Sequence, residues 1–248
     1  MKALLFAAGL GTRLKPLTDK MPKALVELGG CSLLEHTLRK LKHAGVTDVV
    51  VNIHHFGEQI IDFLNTHDLG LRTYISDERE MLLDTGGGLK KASVYFQNET
   101  EPILIHNVDI LSNANLEKFY NFAKEQRITL LVSKRDTTRY LLFDNEMCLV
   151  GWTNILTGEV RSPYTNLDVA SCQKFAFSGI HTFSPNLIDQ MDSFPMTFSI
   201  MDFYLSICNK VKIKGYEEEN LLLVDVGKYA SLQSAEKFAR DNGLFNTL

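Results

Sequence analysis

The sequence predicts an α/β fold in which helices cover a mostly parallel β-sheet. Over the first 135 residues, five apolar runs of strand length alternate with segments whose apolar residues recur with the period of a helix. The first run, residues 2–8, is apolar throughout after Lys2, which is typical of a strand that a parallel sheet buries on both faces. Alternation of this kind favours parallel strands joined by right-handed helical crossovers.

Boundary residues assign the elements of this first part in order. A loop rich in glycine and proline, residues 9–30, follows the first strand. Ser32 is the predicted N-cap of the first helix, Glu35 completes a capping box, and Gly45 ends the helix. The other predicted elements are strands at 48–53, 71–75, 102–109 and 128–133, and helices at 57–67, from about 86, and at 116–126.

After residue 135 the pattern changes to shorter strand-like pieces that turn residues separate. No linker, repeat or low-complexity stretch interrupts this part of the sequence. We therefore expect one domain over residues 1–248, in which the second part adds to the same sheet. The predicted elements here are strands at 139–143, 147–152, 175–183 and 221–226, and helices at 185–191, 199–210 and 228–240.

The composition of the chain argues against nucleic acid and membranes as partners. The formal net charge is −4 and the pI is near 6.0, so a general attraction to nucleic acid or to anionic membranes is not expected. No apolar run approaches the roughly 18 residues of a membrane-spanning helix. The four cysteines are widely spaced and form no CxxC pair, which favours free thiols in a reducing compartment. We expect a cytoplasmic protein.

The segment that directly follows the first strand has the composition of a phosphate-binding loop. Gly9 and Gly11 allow the backbone to approach phosphate oxygens with its N–H groups exposed. A Walker A loop would end in Gly-Lys-Ser/Thr, and a dinucleotide-binding loop would have a third glycine where this chain has Leu14. Arg13 and Lys15 suit a ligand with three or four phosphate charges. The alternative is a glycine-rich turn with charged residues on its surface.

Three further residues could complete a site for phosphates and a metal ion. Pro22 stiffens the chain before Lys23, so this lysine could point at a fixed place, although a solvated lysine beside a turn proline is common. Asp109 ends the fourth predicted strand, at the sheet edge where open parallel sheets bind ligands. Asp225 interrupts an apolar strand, where an unpaired charge would be costly. Two such carboxylates suit Mg²⁺, which prefers hard oxygen ligands, whereas Asp109 alone could equally be a capping or turn residue.

The stretch AAGLGTRLKPLT (residues 7–18), followed by PKAL (22–25), is similar to the signature of the sugar-1-phosphate nucleotidyltransferases, AAGxGTRLxPLT…PKPL. Ala24 replaces the second proline of that pattern. The resemblance implies a Rossmann-like three-layer α/β/α nucleotide-diphospho-sugar transferase fold with a mostly parallel mixed sheet. It also implies a nucleotide-binding half, residues 1–135, and a sugar-phosphate-binding half, residues 136–248. The implied reaction joins a nucleoside triphosphate to a sugar 1-phosphate and releases pyrophosphate, with Mg²⁺ as cofactor.

The same resemblance implies roles for residues along the whole chain. Arg13 and Lys23 would be catalytic, because they bind and neutralise the phosphates. Asp109 and Asp225 would hold the metal ion. No covalent intermediate is needed, because the sugar phosphate is already an anionic nucleophile. The residues implied in nucleotide binding are Ala8, Gly9, Gly11, Thr12, Arg13, Thr85 and Gly86, and those implied in sugar-phosphate binding are Lys23, Asn107, Gly151 and Gly179.

Three consecutive glycines follow Asp84 and Thr85 at the start of the predicted third helix. In relatives this segment contacts the base, and a flexible loop that leads into a helix is the alternative. An acidic residue before TGGG resembles the branch that uses UTP and N-acetylmuramate 1-phosphate, with the mannose-1-phosphate guanylyltransferases, which use GTP, as the close alternative. Arg79 suits carbonyl groups of either uracil or guanine and does not decide between them. The resemblance also implies that Gly179 approaches the sugar, where an ordinary β-bulge is the alternative.

Two other functions fit the same general pattern. A cytidylyltransferase for a phosphorylated alcohol such as phosphocholine would need an acidic or aromatic cage, which the sequence does not display. A non-catalytic nucleotide-sugar sensor would be expected to lack a cation or a carboxylate, whereas Arg13, Lys23, Asp109 and Asp225 are all present. The expected partners are therefore a nucleoside triphosphate and a sugar 1-phosphate, without nucleic acid or membrane, in a monomer or homodimer.

Overall fold

The structure, a computed structural model, describes residues 1–227, 229 and 232–245. The chain folds into two compact units, each assembled from separate stretches of sequence. No helix among the described residues is long and apolar enough to cross a membrane. The first unit comprises Met1–Leu83, Ile105–Glu117 and the described residues from Leu222 on, and the second comprises Asp84–Leu104 and Lys118–Leu221.

Along the described chain, α-helices and short 3₁₀ helices alternate with strands. Short 3₁₀ helices lie at Thr12–Leu14, Leu17–Asp19, Lys23–Leu25, Ser93–Tyr95 and Pro185–Met191. The other elements are β1 (Lys2–Phe6), β2 (Glu27–Leu28), β3 (Cys31–Ser32), α1 (Leu33–His43), β4 (Asp48–Ile53), α2 (Gly57–Thr66), β5 (Arg72–Asp77), α3 (Asp84–Ala92), β6 (Ile103–Asn107), β7 (Ile110–Ser112), α4 (Leu116–Ala123), β8 (Ile128–Ser133), β9 (Arg139–Phe143), β10 (Leu149–Asn154), β11 (Glu159–Arg161), β12 (Gln173–Phe183), α5 (Ile200–Ile207), β13 (Ile213–Glu217), β14 (Leu223–Asp225) and α6 (Leu232–Asp241).

The first unit is built on parallel strands. β1 pairs with β4 and β4 pairs with β5, in a register that aligns Phe6, Asn52 and Ser76. Every residue of β4 is buried, as its apolar run predicts for a strand covered on both faces. Because parallel strands end at the same edge of the sheet, the segments that follow β1 and β4 leave it side by side.

The predicted start of α1 is confirmed in part. Ser32 Oγ accepts the N–H of Glu35 at 3.1 Å, which is the N-cap bond that the sequence predicts. The Glu35 carboxylate binds Arg39 one turn later, so the capping box forms only this one bond. Gly45, with φ of +87°, follows the end of the helix as predicted.

The second unit contains a mixed sheet centred on β12. The first residues of β12 pair antiparallel with β9 and the later ones with β8, while β10 and β11 continue antiparallel beyond β9. β13 pairs parallel with β8. Phe143 and Phe175 meet edge to face with centroids 5.9 Å apart, and Phe203 and Tyr204 of α5 are fully buried. The apolar stripe of α5 therefore belongs to the core of this unit.

The α/β class and the mixed sheet are confirmed, but some elements differ from the prediction. The strand over residues 128–133 is β8, which pairs antiparallel with β12 instead of continuing an all-parallel series. The helix over 185–191 is a 3₁₀ helix, not an α-helix. The strands β7, β11 and β13 are not predicted, because three to five residues of mixed polarity are too few to show a period.

The strand predicted over residues 221–226 is shorter and more exposed than expected. It is β14, which pairs antiparallel with β7 in a two-stranded ribbon. Its first two residues are partly buried, and Asp225 is exposed. The last predicted helix corresponds to α6, and residues 228, 230 and 231 of the predicted range lie outside the described residues.

Candidate active site

The loop after β1 presents its backbone to solvent. Gly9, Thr12 and Arg13 are exposed, and Gly11 is partly exposed. Within the part of the chain that the structure describes, the N–H groups of Gly9, Gly11 and Thr12 donate no hydrogen bond to protein. Such a row of unengaged donors, followed by a guanidinium, suits the oxygens of a phosphate chain.

Both backbone conformation and packing require a glycine at position 11. It has φ of +64°, in the left-handed region that favours glycine. Its carbonyl accepts a hydrogen bond from Thr18 Oγ1 at 2.8 Å. A Cβ at this position would lie 2.7 Å from Thr18 Cγ2 and 3.1 Å from Lys23 Cβ, so packing excludes a side chain as well. The predicted lysine therefore lies directly against the loop.

Asn52 holds the beginning of the loop. Its Oδ1 accepts the N–H of Ala7 at 2.6 Å and that of Ala8 at 3.1 Å. The N–H of Ala8, a residue implied in nucleotide binding, is thus engaged within the protein. The donors that remain for a phosphate begin at Gly9.

A buried carboxylate lies behind Asn52. Glu78 is fully buried, and its Oε1 accepts a hydrogen bond from Asn52 Nδ2 at 2.8 Å. Its Oε2 accepts the N–H of Leu83 at 3.1 Å. The sequence does not predict a role for Glu78, because Asn52 lies 26 residues before it and Leu83 five residues after it. The only local signal is an amide at the end of a valine-rich strand.

Lys23 and Asp109 form an ion pair in which both side chains are largely buried. Lys23 begins a 3₁₀ turn directly after Pro22, as expected for a lysine on a stiff segment. Val108 donates its N–H to the Phe6 carbonyl at 3.1 Å, which holds Asp109 beside the end of β1. The pair neutralises two charges that would be costly to bury singly.

Asp225 lies next to Asp109 through the β7–β14 ribbon. The N–H of Val226 donates to the Asp109 carbonyl at 2.9 Å, and Asp225 lies opposite Ile110. The structure therefore brings the two predicted metal ligands to adjacent positions. The argument that singled out Asp225, an expensive charge inside a buried strand, is wrong, because the residue is exposed.

Arg13 lies near Gly227, just after the β7–β14 ribbon. A Cβ on Gly227 would lie 2.8 Å from Asp225 Oδ1 and 3.3 Å from Arg13 Nη2. The Asp225 carboxylate and the Arg13 guanidinium therefore both flank this glycine. A larger side chain at this position would displace one of them.

The chemistry of the two carboxylates fits Mg²⁺. Among the residues that the structure describes, no three or more His, Cys, Asp or Glu side chains converge as they would around a fully protein-bound metal. Mg²⁺ is commonly held by one or two carboxylates together with substrate phosphates and water. Asp109 and Asp225 beside a phosphate-binding loop meet that description, whereas a zinc site takes three or four protein ligands.

Asn107, implied in sugar-phosphate binding, ends β6 and is partly buried. The neighbouring His106 is fully buried, with Nδ1 2.7 Å from the Asn107 carbonyl oxygen. Burial lowers the pKa of His106 to about 3, and the Lys40 ammonium adds to this effect. The imidazole is therefore neutral near pH 7 and supplies no positive charge to a phosphate.

In the second unit, Thr85 and Gly86 lie in the first turn of α3. Gly86 donates its N–H to the Phe198 carbonyl at 2.8 Å, and Thr85 Oγ1 accepts the N–H of Ile200 at 3.0 Å. A Cβ on Gly86 would lie 2.3 Å from the Phe198 ring. These contacts give both residues a role in packing, and their contact with the nucleobase stays a prediction.

Asp84 begins α3 with a left-handed backbone, at φ of +59°. A glycine adopts this conformation without steric cost, whereas a residue with a side chain is strained by it. The Asp84 side chain offsets part of the cost, because Oδ1 accepts the N–H of Thr85 at 2.6 Å.

Two further glycines of the second unit occupy irregular strand positions. Gly179 has φ of +76° and lies where the register between β12 and β8 shifts, so the bulge that sequence analysis weighed as an alternative is present. Gly151 lies at a register shift in β10, where a Cβ would be 3.0 Å from the Arg161 carbonyl oxygen. Their contacts with a sugar phosphate stay predictions.

Arg79, considered as a base contact, is engaged by two acids of its own unit. Its guanidinium binds both carboxylate oxygens of Asp77 and also pairs with Glu58. A guanidinium held by two carboxylates has fewer donors left for a base.

The chain is similar to known nucleotidyltransferases over most of its length. A family model described as nucleotidyl transferase matches residues 2–143. The chain is 29% identical over 230 residues to the N-acetylmuramate alpha-1-phosphate uridylyltransferase of Caulobacter vibrioides. This alignment covers 88% of this chain and 89% of that protein. It is 28% identical over 217 residues to the mannose-1-phosphate guanyltransferase of Debaryomyces hansenii, which covers 85% of this chain and 57% of that protein.

Solved structures share the fold. A putative glucose-1-phosphate thymidylyltransferase from Bacillus anthracis aligns with a TM-score of 0.80 and 17% identity, covering 97% of this chain and 96% of its own. HddC from Yersinia pseudotuberculosis aligns with a TM-score of 0.74 and 21% identity, covering 95% of this chain and 98% of its own. The predicted nucleotide-sugar transferase fold is therefore confirmed. Since the family model also spans more than half of the sequence, the chain belongs to the nucleotidyl transferase family, among its sugar-1-phosphate nucleotidyltransferases.

Proposed function

We propose that this protein transfers a uridylyl group from UTP to N-acetylmuramate 1-phosphate in a Mg²⁺-dependent reaction. A phosphate oxygen of the sugar phosphate attacks the α-phosphorus of UTP, and the bond to the leaving pyrophosphate breaks in line with it. One observation carries the proposal. In a single unit, the loop after β1, whose N–H groups at Gly9, Gly11 and Thr12 donate to none of the described residues, is accompanied by Arg13, the Lys23–Asp109 ion pair and Asp225.

The main obstacle to this reaction is repulsion between two highly charged phosphates. The loop N–H groups and Arg13 would bind the triphosphate, and they would orient the α-phosphorus for attack. Lys23 would neutralise charge on the phosphates of both substrates. Mg²⁺ held by Asp109 and Asp225 would supply further stabilisation of negative charge on the transferred phosphoryl group and on pyrophosphate.

Similarity supports UTP and N-acetylmuramate 1-phosphate over the alternative pair, GTP and mannose 1-phosphate. The Caulobacter uridylyltransferase matches this chain over nearly the whole of both proteins, whereas the chain spans 57% of the Debaryomyces guanyltransferase. We assign Thr85 and Gly86 to the base and Asn107, Gly151 and Gly179 to the sugar phosphate, on the resemblance of these segments to the family.

A pyrophosphate-release assay with Mg²⁺ tests the substrates directly. UTP and GTP are each combined with N-acetylmuramate 1-phosphate and with mannose 1-phosphate. We expect kcat/KM to be at least about tenfold higher for UTP with N-acetylmuramate 1-phosphate than for any other pair. Preference for GTP with mannose 1-phosphate would establish the alternative, and no turnover with any sugar 1-phosphate would contradict the proposed reaction.

The substitution Asp109→Asn tests the site. It removes a metal ligand and the counter-charge of Lys23, so we expect kcat to fall by about a hundredfold or more while the protein stays folded. Asp19→Asn is the matched control, because Asp19 is an exposed acid near the same loop that pairs with Lys15 at 3.0 Å. Equal activity of the two variants would remove Asp109 from the mechanism.

A further inference from the structure

We propose that Asn52 and Glu78 are positioning residues for the loop after β1, residues 9–13, which we call the triphosphate loop after the ligand that we propose for it. Together they form a buried amide–carboxylate pair that sets the direction in which the backbone leaves β1. This inference rests on the proposed function, since it assumes that the loop binds a triphosphate. It concerns side chains that would not themselves touch the substrate.

The amide of Asn52 acts where strand pairing ends. β1 and β4 pair as far as Phe6 and Asn52. Ala7 and Ala8 lie beyond the strand, and Asn52 Oδ1 accepts both of their N–H groups, at 2.6 and 3.1 Å. The next residue is Gly9, the first with an N–H free for phosphate, so one side-chain oxygen orients the start of the loop.

Glu78 fixes the orientation of that amide. With Oδ1 on two N–H groups, Nδ2 of Asn52 must face an acceptor, and Glu78 Oε1 supplies it at 2.8 Å. A fully buried carboxylate is costly unless hydrogen bonds satisfy it, and a purely apolar packing role would not need one. The acceptor-only character of a carboxylate suits both of these donors, Asn52 Nδ2 and the Leu83 N–H.

The second carboxylate oxygen of Glu78, Oε2, binds a backbone N–H group later in the chain. It accepts the N–H of Leu83 at 3.1 Å, and Leu83 directly precedes the segment that begins with Asp84. Glu78 is itself anchored to the end of β4, because its N–H donates to the Ile53 carbonyl at 2.8 Å. One carboxylate therefore holds both the start of the triphosphate loop and Leu83, which lies three residues before Gly86.

Hydrogen-bond polarity provides the test. Glu78→Gln replaces one acceptor with a donor, so it loses a bond to either Asn52 or Leu83. Asn52→Asp turns a second acceptor toward the Glu78 carboxylate. The double variant reverses the polarity of the pair, because the carboxylate at 52 accepts from Ala7, Ala8 and the amide at 78, whose oxygen accepts from Leu83.

We expect each single variant to bind inorganic tripolyphosphate about tenfold more weakly in calorimetry and to lose about tenfold or more in kcat. The double variant should return both quantities to within about threefold of the unmodified protein, whereas a residue important only for packing would not show this rescue. Asp48→Asn is the control, because it breaks an ion pair with Arg72 at the opposite end of β4. It should lower stability without changing tripolyphosphate affinity.

The outcomes separate this inference from the proposed function. Folded single variants with unchanged affinity and kcat would overturn it, as would a double variant no better than the worse single one. If Glu78→Gln does not fold, the double variant decides alone: recovery of folding and tripolyphosphate binding supports the pair, and failure of either overturns it. Tripolyphosphate binding that follows this pattern without turnover of any sugar phosphate would contradict only the proposed reaction.

Discussion

Single residues of the triphosphate loop are constrained for different reasons. Gly11 is required by the fold, since its φ is +64° and a Cβ would lie 2.7 Å from Thr18 Cγ2. Gly9 has neither a positive φ nor a close contact, because none of the other described residues beyond its chain neighbours lies within 4 Å of the position that its Cβ would take. The folded chain tolerates a side chain at Gly9, so a requirement for glycine there would come from the ligand.

We therefore expect Gly9→Ala to separate binding from folding. Its free energy of unfolding should stay within about 0.5 kcal/mol of the unmodified protein, as for other exposed substitutions. Its affinity for nucleoside triphosphate should fall about tenfold or more, because the methyl group occupies space that phosphate oxygens need. Urea unfolding and calorimetry measure the two quantities.

Gly30→Ala is the matched control for that variant. Its Cβ position is also open, but φ is +90°, so the substitution should cost about 1–2 kcal/mol of stability and leave nucleotide affinity unchanged. Wild-type nucleotide affinity in Gly9→Ala would show that phosphate does not approach the loop at this residue.

At the scale of elements, α3 depends on close contact with the segment before α5. Gly86 packs against Phe198, whose ring also contacts Phe194 with centroids 4.8 Å apart. The N–H of Gly86 donates to the Phe198 carbonyl in that segment, and the hydroxyl of Thr85 accepts the N–H of Ile200, the first residue of α5. Three glycines at the start of a helix are unfavourable by propensity alone, so this packing compensates for them.

Gly86→Ala should destabilise the protein by about 1–3 kcal/mol, because the methyl group would overlap the Phe198 ring. Phe198→Leu should recover part of that loss in the double variant, although the single variant Phe198→Leu is itself destabilised. Thermal or urea unfolding of the four proteins gives the coupling energy. Additive effects of the two substitutions would contradict a direct clash between them.

At the scale of the whole molecule, a buried histidine links stability to pH. His106 has a pKa of about 3 in the folded protein, well below its ordinary value of 6.5, because burial disfavours its charged form. Within the described residues its Nε2 has no hydrogen-bond partner. The unfolded chain binds a proton below pH 6.5 that the folded protein does not. The contribution of His106 is therefore fully present above pH 6.5 and is lost as the pH falls toward 3.

We expect the free energy of unfolding to fall by up to about 1.4 kcal/mol per pH unit between pH 6 and 4 on account of this residue. His106→Gln should reduce that slope, and His67→Gln, which changes an exposed histidine in the same way, is the control. Urea unfolding at several pH values measures the slopes. An unchanged slope in His106→Gln would show that other groups dominate acid unfolding.

Features that depend on local pattern were predictable. β4 is observed over the predicted residues, because a continuous run of valines allows few alternatives. Ser32 and Gly45 mark the ends of α1 as predicted, because caps act on their immediate neighbours. The spacing of the glycines and the arginine after β1 predicts a phosphate-binding loop, and the binding of a triphosphate there stays a prediction.

Features that depend on contacts between residues far apart in the sequence were not predictable. Asp225 was chosen for a reason that the structure contradicts, since it lies on an exposed ribbon. Glu78 received no role, because its contacts with Asn52 and Leu83 follow from the way β4 ends. Arg79 was considered for the base, yet it is bound by Asp77 and Glu58.

The sequence by itself determined the α/β class, the order of the first elements and the family, because periodicity and short motifs are properties of neighbouring residues. Only the tertiary structure decided that Lys23 pairs with Asp109, that Asp225 lies beside it, and that Asn52 and Glu78 support the loop. These pairings join residues 26 to more than 80 positions apart, and chain entropy allows them only when the surrounding elements pack together.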